Sequence, residues 1–294
     1  MASLKEIKSR IASVRNTQKI TSAMRMVASA KLHHTQGMTE AFLRYKDELE
    51  KIVECLNLNS SLLNKEFEDD FSTSNPQSAT LLIPISSNSG LCGAFNSNIA
   101  KATMQRIHES EAQGKKVILL PIGKKIAHEL KKTNKDLNTD FVPVLEKIEK
   151  SNTFTDVVAL VGLACEWYQA KEIDSVEFLY HHFKSMGSQV IQVDNLNVKF
   201  NDNLHNNSHL SLLTEPSPQE LLASLFPRLL NAQVYGILLD SLTSEHAARM
   251  MAMQTADDNA NDLLKELTLL YNKTRQQAIT NELIDIMSGK GAQN

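Results

Sequence analysis

The residues best placed to do chemistry lie in a glycine-containing loop, Ser87–Gly93, which follows the apolar run Ala79–Ser86. That run has the length of a buried strand, and a helix is predicted after the loop, from about Ala94 to Gln113. A strand, a glycine-bearing loop and a helix in this order can bind phosphate, because the backbone N–H groups at the helix N-terminus face the anion. The loop therefore raises the hypothesis of a nucleotide-binding enzyme.

The details of the loop weaken that hypothesis. Its sequence from Ser89 to Asn96, SGLCGAFN, matches neither G-x-G-x-x-G nor G-x-x-x-x-G-K-[ST]. No acidic residue about twenty positions further on is placed to bind a ribose, and Lys115-Lys116 lie there instead. Cys92 has no histidine that the sequence assigns to it as a base. A tight turn with close packing of helix on sheet is the favoured interpretation, and a nucleotide-binding α/β protein with helical arms remains the alternative.

The other residues capable of metal or redox chemistry are scattered. Cys55, Cys92 and Cys165 are far apart and form no C-x-x-C pair, which argues against disulfides and against a zinc site. His33-His34 and His181-His182 are adjacent pairs, whose side chains point in different directions on a helix or a strand. The sequence therefore predicts no catalytic residue, no metal ligand and no cofactor site.

The chain around the loop, residues 76–205, is predicted to form an α/β domain. Strand-like and helix-like segments alternate, which predicts a mostly parallel sheet with helices on its faces. The last two strands are close enough to form a hairpin at the edge, and Asn201–Ser208 is a polar link. After Ala79–Ser86, the predicted strands are Lys116–Ile122, Phe141–Val144, Ser175–Phe183 and Gln189–Phe200, with a turn at Met186-Gly187 and with helices from near Gly123-Lys124 and over Thr153–Lys171.

A very long helix is predicted in residues 210–289. From Arg228 to Ser288 the chain has 61 residues with no proline and one glycine, which as a helix would span about 90 Å. The sequence Ser217-Pro218-Gln219-Glu220 supplies an N-cap and a capping box. Pro227 is expected to kink or split the helix, and Gly289 to end it. A helix of this length must lie along another long helix or inside a partner.

Residues 1–60 supply the second long helix, with Ser3 and Glu6 as a capping box. Its apolar stripe is predicted to change phase after Val14, because Gln18 and Thr21 occupy the next two positions of the repeat. Spacings of three and four residues predict that the two helices form an antiparallel left-handed coiled coil. The predicted seam positions are Leu4, Ile7, Ile11, Val14, then Ile20, Met24 and Val27 on the first helix, and Ala256, Ala260, Leu263, Leu267, Leu270 and Thr274 on the second.

Composition and charge narrow the function classes. The chain is 42% hydrophobic and 22% charged, with a net charge of −3, and its longest apolar run, Val157–Cys165, is too short to span a membrane as a helix. Residues 1–34 carry seven basic residues and one acidic residue. A transit peptide, a nucleic-acid-binding helix and a helix packed on acidic protein surfaces compete to explain that charge. The heptad-like pattern that continues into Ala41–Leu58 disfavours the first, and small residues among the charges favour protein contact over nucleic acid.

Four segments resemble the gamma subunit of the F-type ATP synthase, in order and over the length of the chain. They are Ile11–Leu32, Gly90–Asn96, His246–Ala260 and Leu270–Gly289. The resemblance implies a central rotor shaft that couples ion-driven rotation of the membrane c-ring to ATP synthesis or hydrolysis in the alpha/beta head. It implies a fold in which a long antiparallel coiled coil of the terminal helices joins a Rossmann-like α/β domain, in a non-catalytic subunit that binds no cofactor and no nucleic acid.

The resemblance also implies partners and contact residues. Three alpha and three beta subunits would surround the shaft, while the epsilon subunit and the c-ring would contact its foot. The chain would lie on the cytoplasmic face of the bacterial inner membrane and meet the membrane only through the c-ring. Beta subunits would contact Arg275, Gln276 and Thr280, with Met24 facing them on the partner helix, an apolar collar would surround Ile279, Leu283, Ile286 and Met287, and Glu215 would contact the c-ring.

Two departures limit what the resemblance carries over. The family loop often has arginine and glycine where this chain has Ser89 and Ala94, so any ion pair of that arginine with the stator would be absent. The foot segment is commonly aromatic before Glu-Pro, whereas here it is Leu212-Leu213-Thr214-Glu215-Pro216. A redox insertion with paired cysteines is also lacking in the sequence, so thiol control of the chloroplast kind is not expected.

Overall fold

The computed structural model describes residues 3–59, 79–132, 142–151, 153–196, 214–215 and 217–291. The chain divides into two compact units, which we call the coiled-coil unit (Met1–Ala30 with Arg249–Asn294) and the sheet unit (Lys31–Ala248). The elements in chain order are α1 (Leu4–Asn59), β1 (Ala79–Pro84), α2 (Phe95–Ala112), β2 (Lys116–Leu119), α3 (Lys124–Lys132), α4 (Val142–Ser151), α5 (Phe154–Gln169), β3 (Ile173–Ser185), β4 (Ser188–Asn195) and α6 (Pro218–Gly291).

In the coiled-coil unit α1 and α6 pair antiparallel, as predicted. The Gln18 amide donates to Asn261 Oδ1 at 2.6 Å, and Arg25 donates to the Gln254 side chain. These two contacts are seven residues apart on each helix and run in opposite directions along them. The pairing confirms the antiparallel arrangement and fixes its register.

The seam on α6 differs from the prediction at every second position. Ala260 and Leu267 are buried and Thr274 is half-buried, as expected, whereas Ala256, Leu263 and Leu270 lie to the side of the seam. The alternative 3-4 spacing shifts three positions by one residue, from Ala256 to Asp257, from Leu263 to Leu264 and from Leu270 to Tyr271. Apolar periodicity favoured Ala256 over Asp257 and could not separate the adjacent apolar residues at the other two positions. The inward-facing residues are Met253, Asp257, Ala260, Leu264, Leu267, Tyr271 and Thr274.

On α1 the predicted phase change is wrong. The seam keeps one heptad repeat through Gln18, Thr21 and Arg25, while Ile20 and Val27 point outward, 61% and 56% exposed. Gln18 and Arg25 remain in the seam because they find polar partners on α6, and the Thr21 hydroxyl donates to the Gln18 carbonyl on its own helix. In this segment the apolar stripe of α1 therefore does not coincide with the face that contacts α6.

The helix ends follow the predictions in part. The Ser3 amide donates to Glu6 and the Glu6 amide donates to Ser3 Oγ, at 2.9 and 3.2 Å, which confirms the capping box of α1. The Glu220 amide donates to Ser217 Oγ at 3.2 Å at the start of α6. Pro227 lies inside α6 without dividing it. Gly289 does not end α6, since the helix continues to Gly291.

The sheet unit contains one four-stranded sheet in the order β2-β1-β3-β4. Strand β1 is parallel to both β2 and β3, and β4 closes the edge antiparallel to β3 after the turn at Met186-Gly187. All six residues of β1 are buried, as expected for a central parallel strand. The mostly parallel sheet and its edge hairpin confirm the predicted α/β fold. The polar link Asn201–Ser208 lies outside the described residues.

One predicted strand of this sheet is wrong. Phe141 lies outside the described residues, and Val142–Ser151 form helix α4. Pro143 has no N–H to donate to a sheet but fits the first turn of a helix. Val144, Leu145 and fully buried Ile148 then face the core at helical spacing. The short apolar run was ambiguous in period, and packing decided in favour of the helix.

Helices cover both faces of the sheet. On one face Leu82, Leu119 and Leu179 pack on α2 and α3. On the other, Leu81, Ile83 and Phe178 pack on α4, α5 and the Leu230–Leu238 part of α6. Within the same unit α1 also packs on α6, through Leu49, Val53 and Leu56 against Leu222, Leu229 and Ala232.

By length and composition, one helical segment among the described residues could cross a membrane, Glu220–Ile284 of α6. The sequence prediction used the longest unbroken apolar run and therefore passed over this segment. Much of its apolar surface is in the sheet-unit core, where Leu229, Leu230, Val234 and Leu239 are buried.

Candidate partner-binding surfaces

The C-terminal end of α6 carries an exposed apolar surface, which we call the tip (residues 276–287). Counting outward from the Gln18–Asn261 and Arg25–Gln254 contacts places Leu4, the first residue of α1, beside Arg275. The tip therefore extends past the start of its partner helix. Its large apolar side chains are between 49% and 75% exposed: Ile279, Leu283, Ile284, Ile286 and Met287.

These side chains form one band about 160° wide, which is broader than the seam of a coiled coil. Ile279, Leu283 and Ile286 follow helical spacing along one side, while Ile284 and Met287 extend the apolar surface around it. Gln277 and Asn281 are both exposed. An exposed apolar band of this width marks a surface that another protein covers. The tip is thus the strongest candidate for a partner-binding surface.

Three predicted contact residues lie on α6 in the tip or directly before it. Arg275, Gln276 and Thr280 are all exposed. The Thr280 hydroxyl donates to the Gln276 carbonyl at 2.9 Å, so its oxygen is left to accept a bond. Gln276 and Thr280 are one turn apart and share a face, which gives a partner an amide and a hydroxyl side by side.

Met24 does not face that group, contrary to the prediction. Its neighbour Arg25 contacts Gln254, which is 21 residues before Arg275 on α6 and about 30 Å from it along the helix. The prediction assumed that Met24 and Arg275 lie at the same level of the coiled coil and contact the same part of a partner. The observed register places them at different levels. Met24 is half-buried at the edge of the seam.

The predicted foot residue, Glu215, is exposed and lies just before α6. Leu212, Leu213 and Pro216, which flank it in the predicted foot segment, lie outside the described residues. The structure therefore gives Glu215 an accessible carboxylate.

The glycine loop of the sheet unit is held by hydrogen bonds within the chain. Asn96 accepts the Ser87 amide at 3.1 Å, and its own amide donates to Ser87 Oγ and to the buried Cys92 sulfur, at 2.8 and 3.1 Å. Leu91 and Gly93 adopt positive φ, 66° and 59°, as a tight turn requires. The side chains that looked chemically competent thus hold the loop together, as the favoured interpretation expected.

Close packing beneath that loop depends on a second glycine. Gly123 has φ +104°, and a Cβ there would lie 2.4 Å from the Ser86 carbonyl oxygen. The Ser86 hydroxyl accepts the Ile126 amide at 3.1 Å at the start of α3. Helix α3 therefore reaches the carboxyl end of β1, where a phosphate would otherwise have room to approach.

The adjacent histidines on β3 have different environments. His181 is 2% exposed, stacks on Phe95 with ring centroids 4.1 Å apart, and has no hydrogen-bond partner for either ring nitrogen. Burial lowers the pKa of His181 to about 4. His182 points the other way, and its Nδ1 lies 2.6 Å from Asp240 Oδ2. The other oxygen of Asp240 accepts a hydrogen bond from the Phe183 amide at 2.8 Å. The opposed directions of the pair were predicted from strand geometry.

A cleft of about 470 Å³ opens beside His182 in the sheet unit. The Tyr180 hydroxyl donates to Asp194 at 2.7 Å, and burial together with this carboxylate raises the pKa of Tyr180. Sequence analysis missed the cleft because its walls come from α1, β3, β4 and α6, which are distant in the chain. Its polar lining includes Thr39, Glu40, Lys46, Tyr180, Asp194 and Asp240. Among the described residues no group of three His, Cys, Asp or Glu could hold a metal ion.

These features define a class of protein: a terminal-helix coiled coil with a bare apolar tip, carried by an α/β chain without an evident catalytic centre in the part that the structure describes. A family model described as ATP synthase matches residues 3–292. The chain is 48% identical over 292 residues to the ATP synthase gamma chain of Parabacteroides distasonis, covering 98% of each chain. It is 44% identical over 300 residues to that of Bacteroides fragilis, covering 99% of this chain and 100% of the relative. The chain belongs to the ATP synthase gamma chain family.

Solved structures give the same fold. A chain of the Tetrahymena thermophila mitochondrial ATP synthase central stalk and c-ring is 25% identical, with a TM-score of 0.55, and the match covers 81% of this chain and 99% of that one. A chain of the Euglena gracilis mitochondrial ATP synthase in an assembly of OSCP, F1 and c-ring is 18% identical, with a TM-score of 0.65 and coverage of 98% and 94%. The second likeness supports the fold alone.

Proposed function

We propose that this chain is the central rotor shaft of an F-type ATP synthase, which couples ion-driven rotation of a c-ring to ATP synthesis or hydrolysis in the alpha/beta head. The observation that carries the proposal is the bare apolar tip on a coiled coil in a full-length relative of gamma chains. Such a tip needs a sleeve of protein, and an apolar sleeve that makes few directional bonds permits turning.

The tip residues would rest in a collar formed by the partner subunits. In this proposal Ile279, Leu283, Ile286 and Met287 are the collar contacts, since they are exposed and apolar. Dispersion and apolar burial have no strong preferred orientation, unlike hydrogen bonds. The collar could therefore hold the shaft on its axis in each of several rotational positions.

Contacts that depend on rotational position would come from polar groups. Arg275, Gln276 and Thr280 are exposed and would bind the beta subunits, where a guanidinium can make paired, directional bonds to carboxylates. Met24 would contact the beta subunits at a second level, about 30 Å along the coiled coil from Arg275. With two levels of contact, the shaft would act on more than one part of the surrounding ring.

The chain would act through differential binding and carry no active site. An asymmetric shaft inside three alpha and three beta subunits imposes different surroundings on three otherwise identical sites, so their nucleotide affinities differ. Residues 1–60 and 210–289 would form the shaft, and residues 76–205 would remain outside the ring. Glu215 would contact the c-ring and an epsilon subunit would bind nearby, on the cytoplasmic face of the bacterial inner membrane.

A tagged pull-down of the complex from membranes tests the proposal. Alpha, beta and epsilon subunits are expected in the ratio three, three and one with the tagged chain. Recovery of the chain without alpha and beta would overturn it. Equilibrium dialysis of the chain with ATP and with NAD adds a separate test, since micromolar binding of either would favour the nucleotide-binding alternative.

The tip can be tested within the same pull-down. Leu283→Asp with Ile286→Asp places two charges on the apolar surface, and a smaller amount of alpha and beta is expected to remain after a urea wash. Thr268→Asp with Asn272→Asp is the matched control, because it adds the same two charges at residues that are exposed on α6 outside the tip. Equal retention by the two double variants would exclude the tip as a collar contact.

A further inference from the structure

Two polar layers interrupt the seam of the coiled-coil unit. The first pairs Gln18 with Asn261, and the second places Arg25 against Gln254 and Asp257. The layers are one heptad apart, and apolar seam residues lie toward the tip. Those residues are Ile7, Ile11 and Val14 on α1 and Leu264 and Leu267 on α6.

The apolar part of the seam does not specify one axial alignment. Its residues recur every three and four positions, so a slip of one helix by a heptad exchanges one apolar side chain for another. Such a slip moves the helix by about 10 Å, and a slip of three or four residues moves it by about 5 Å. Neither slip alters the apolar character of the contact.

The Arg25 layer changes under any slip. Asp257 is 9% exposed, with one carboxylate oxygen 3.9 Å from the Arg25 guanidinium and the other without a hydrogen-bond partner. Because Asp257 depends on Arg25 for its counter-charge, a slip of one heptad, about 10 Å, leaves a buried carboxylate uncompensated.

Gln254 makes the layer directional. Its side-chain oxygen accepts from Arg25, while its amide donates to both carboxylate oxygens of Asp258 at 3.0 Å. Asp258 therefore orients the Gln254 amide so that its oxygen faces the seam. Arg25 meets two acceptors, at positions 254 and 257, which are one turn apart on α6.

We infer that the Arg25–Gln254–Asp257 layer fixes the axial register of the two helices in the coiled-coil unit. Polar groups in a coiled-coil seam lower stability and exclude misaligned pairings, which the apolar positions would tolerate. The inference concerns the pairing of this chain's own helices. It stands whether or not the chain turns inside a partner ring.

Pulsed electron–electron spin resonance on the full chain tests the inference. Spin labels are attached at Lys5→Cys and Thr255→Cys, both exposed positions, after Cys55, Cys92 and Cys165 are replaced by serine. The register places these sites about 30 Å apart along the axis. The parent and the control Lys19→Leu with Glu266→Leu, which removes exposed charges from the same helices, are expected to give one narrow distance.

The variant Arg25→Leu with Asp257→Leu makes the layer apolar. A second population is expected, displaced by about 5 or 10 Å from the parent distance. The exchanged pair Arg25→Asp with Asp257→Arg restores opposite charges and is expected to return to one population. A single parental distance in the apolar variant, a second population in the control, or two populations in the exchanged variant would each overturn the inference.

Discussion

The sheet unit and the coiled-coil unit differ in how much of their apolar surface they bury. In the sheet unit, every residue of β1 is buried between two helical layers. In the coiled-coil unit, α6 has no buried side chain among its described residues after Leu267. The sheet unit therefore gains stability from its own core, whereas much of the apolar surface in the other unit adds nothing to folding and is available to a partner.

The geometry of the ion pairs also differs between the two units. In the sheet unit Arg106 binds both oxygens of the buried Glu177, at 2.6 and 2.7 Å. In the coiled-coil unit Arg25 approaches only one oxygen of Asp257, at 3.9 Å. The first pair has the geometry of a strong charge-assisted contact, and the second suits alignment better than stabilisation.

The largest expected effect compares one leucine from each unit. Leu82→Ala removes a side chain packed between β1 and the α2–α3 layer, and it should lower the free energy of unfolding by about 4 kcal/mol because a cavity forms. Leu283→Ala, at the exposed tip, should change it by less than about 0.5 kcal/mol in the isolated chain. Urea denaturation followed by circular dichroism measures both. Similar losses for the two variants would contradict the contrast between the units.

The pH dependence of the sheet unit should be the next largest effect. His181 has a folded pKa of about 4, below the unfolded value of about 6.5, so the unfolded chain binds the extra proton between these pH values. The contribution to stability is complete above pH 6.5 and falls as pH drops, by about 3 kcal/mol at pH 4.

The variant His181→Leu isolates that contribution. The other titrating groups are common to both proteins, so their effects cancel in the comparison. The free energy of unfolding of the parent, relative to that of His181→Leu, should therefore fall by about 3 kcal/mol from pH 7 to pH 4. Urea denaturation at four pH values gives the comparison. Parallel pH profiles would show that His181 is not buried as a neutral ring.

A smaller effect is expected from the ion pair between α2 and β3. Arg106→Met should lower the free energy of unfolding by about 2 kcal/mol, because Glu177 stays buried without its partner. The contact with Glu177 also raises the pKa of Arg106. The double variant Arg106→Met with Glu177→Leu should recover much of the loss. Arg275→Met, directly before the tip, is the matched control, and a loss of stability there equal to that of Arg106→Met would contradict the contrast.

The sequence predicted most of the fold because the relevant signals are local. The capping box at Ser3 and Glu6, the buried run at β1 and the turn at Met186-Gly187 each depend on a few neighbouring residues. The strand predicted at Phe141–Val144 failed because a short apolar run has no period of its own. Packing of Ile148 against the core decides between strand and helix.

The seam and the site were harder to predict, since both depend on pairing between distant residues. Gln18, Thr21 and Arg25 occupy seam positions because α6 supplies acceptors and small side chains opposite them. No pattern within α1 contains that information. The same register separates Met24 from Arg275, and only the cross-chain contacts reveal it. Exposure of the tip could be predicted, because its apolar residues cover a wider arc of the helix than a coiled-coil seam does.

The smallest expected effect is local and concerns the end of α1. Ser3→Ala removes the hydrogen bond from the Glu6 amide to Ser3 Oγ. Only the bond from the amide of residue 3 to the Glu6 carboxylate then remains of the capping box. A lost N-cap costs about 1 kcal/mol, but here the first turn can fray without unfolding the sheet unit. Hydrogen exchange at the Glu6 and Ile7 amides should therefore accelerate about fivefold, while the urea midpoint stays unchanged. Ser9→Ala, on the exposed face of the same helix, should alter neither measurement. A fall in the urea midpoint with Ser3→Ala would mean that the coiled-coil unit shares the cooperative stability of the sheet unit, and the contrast between them would fail.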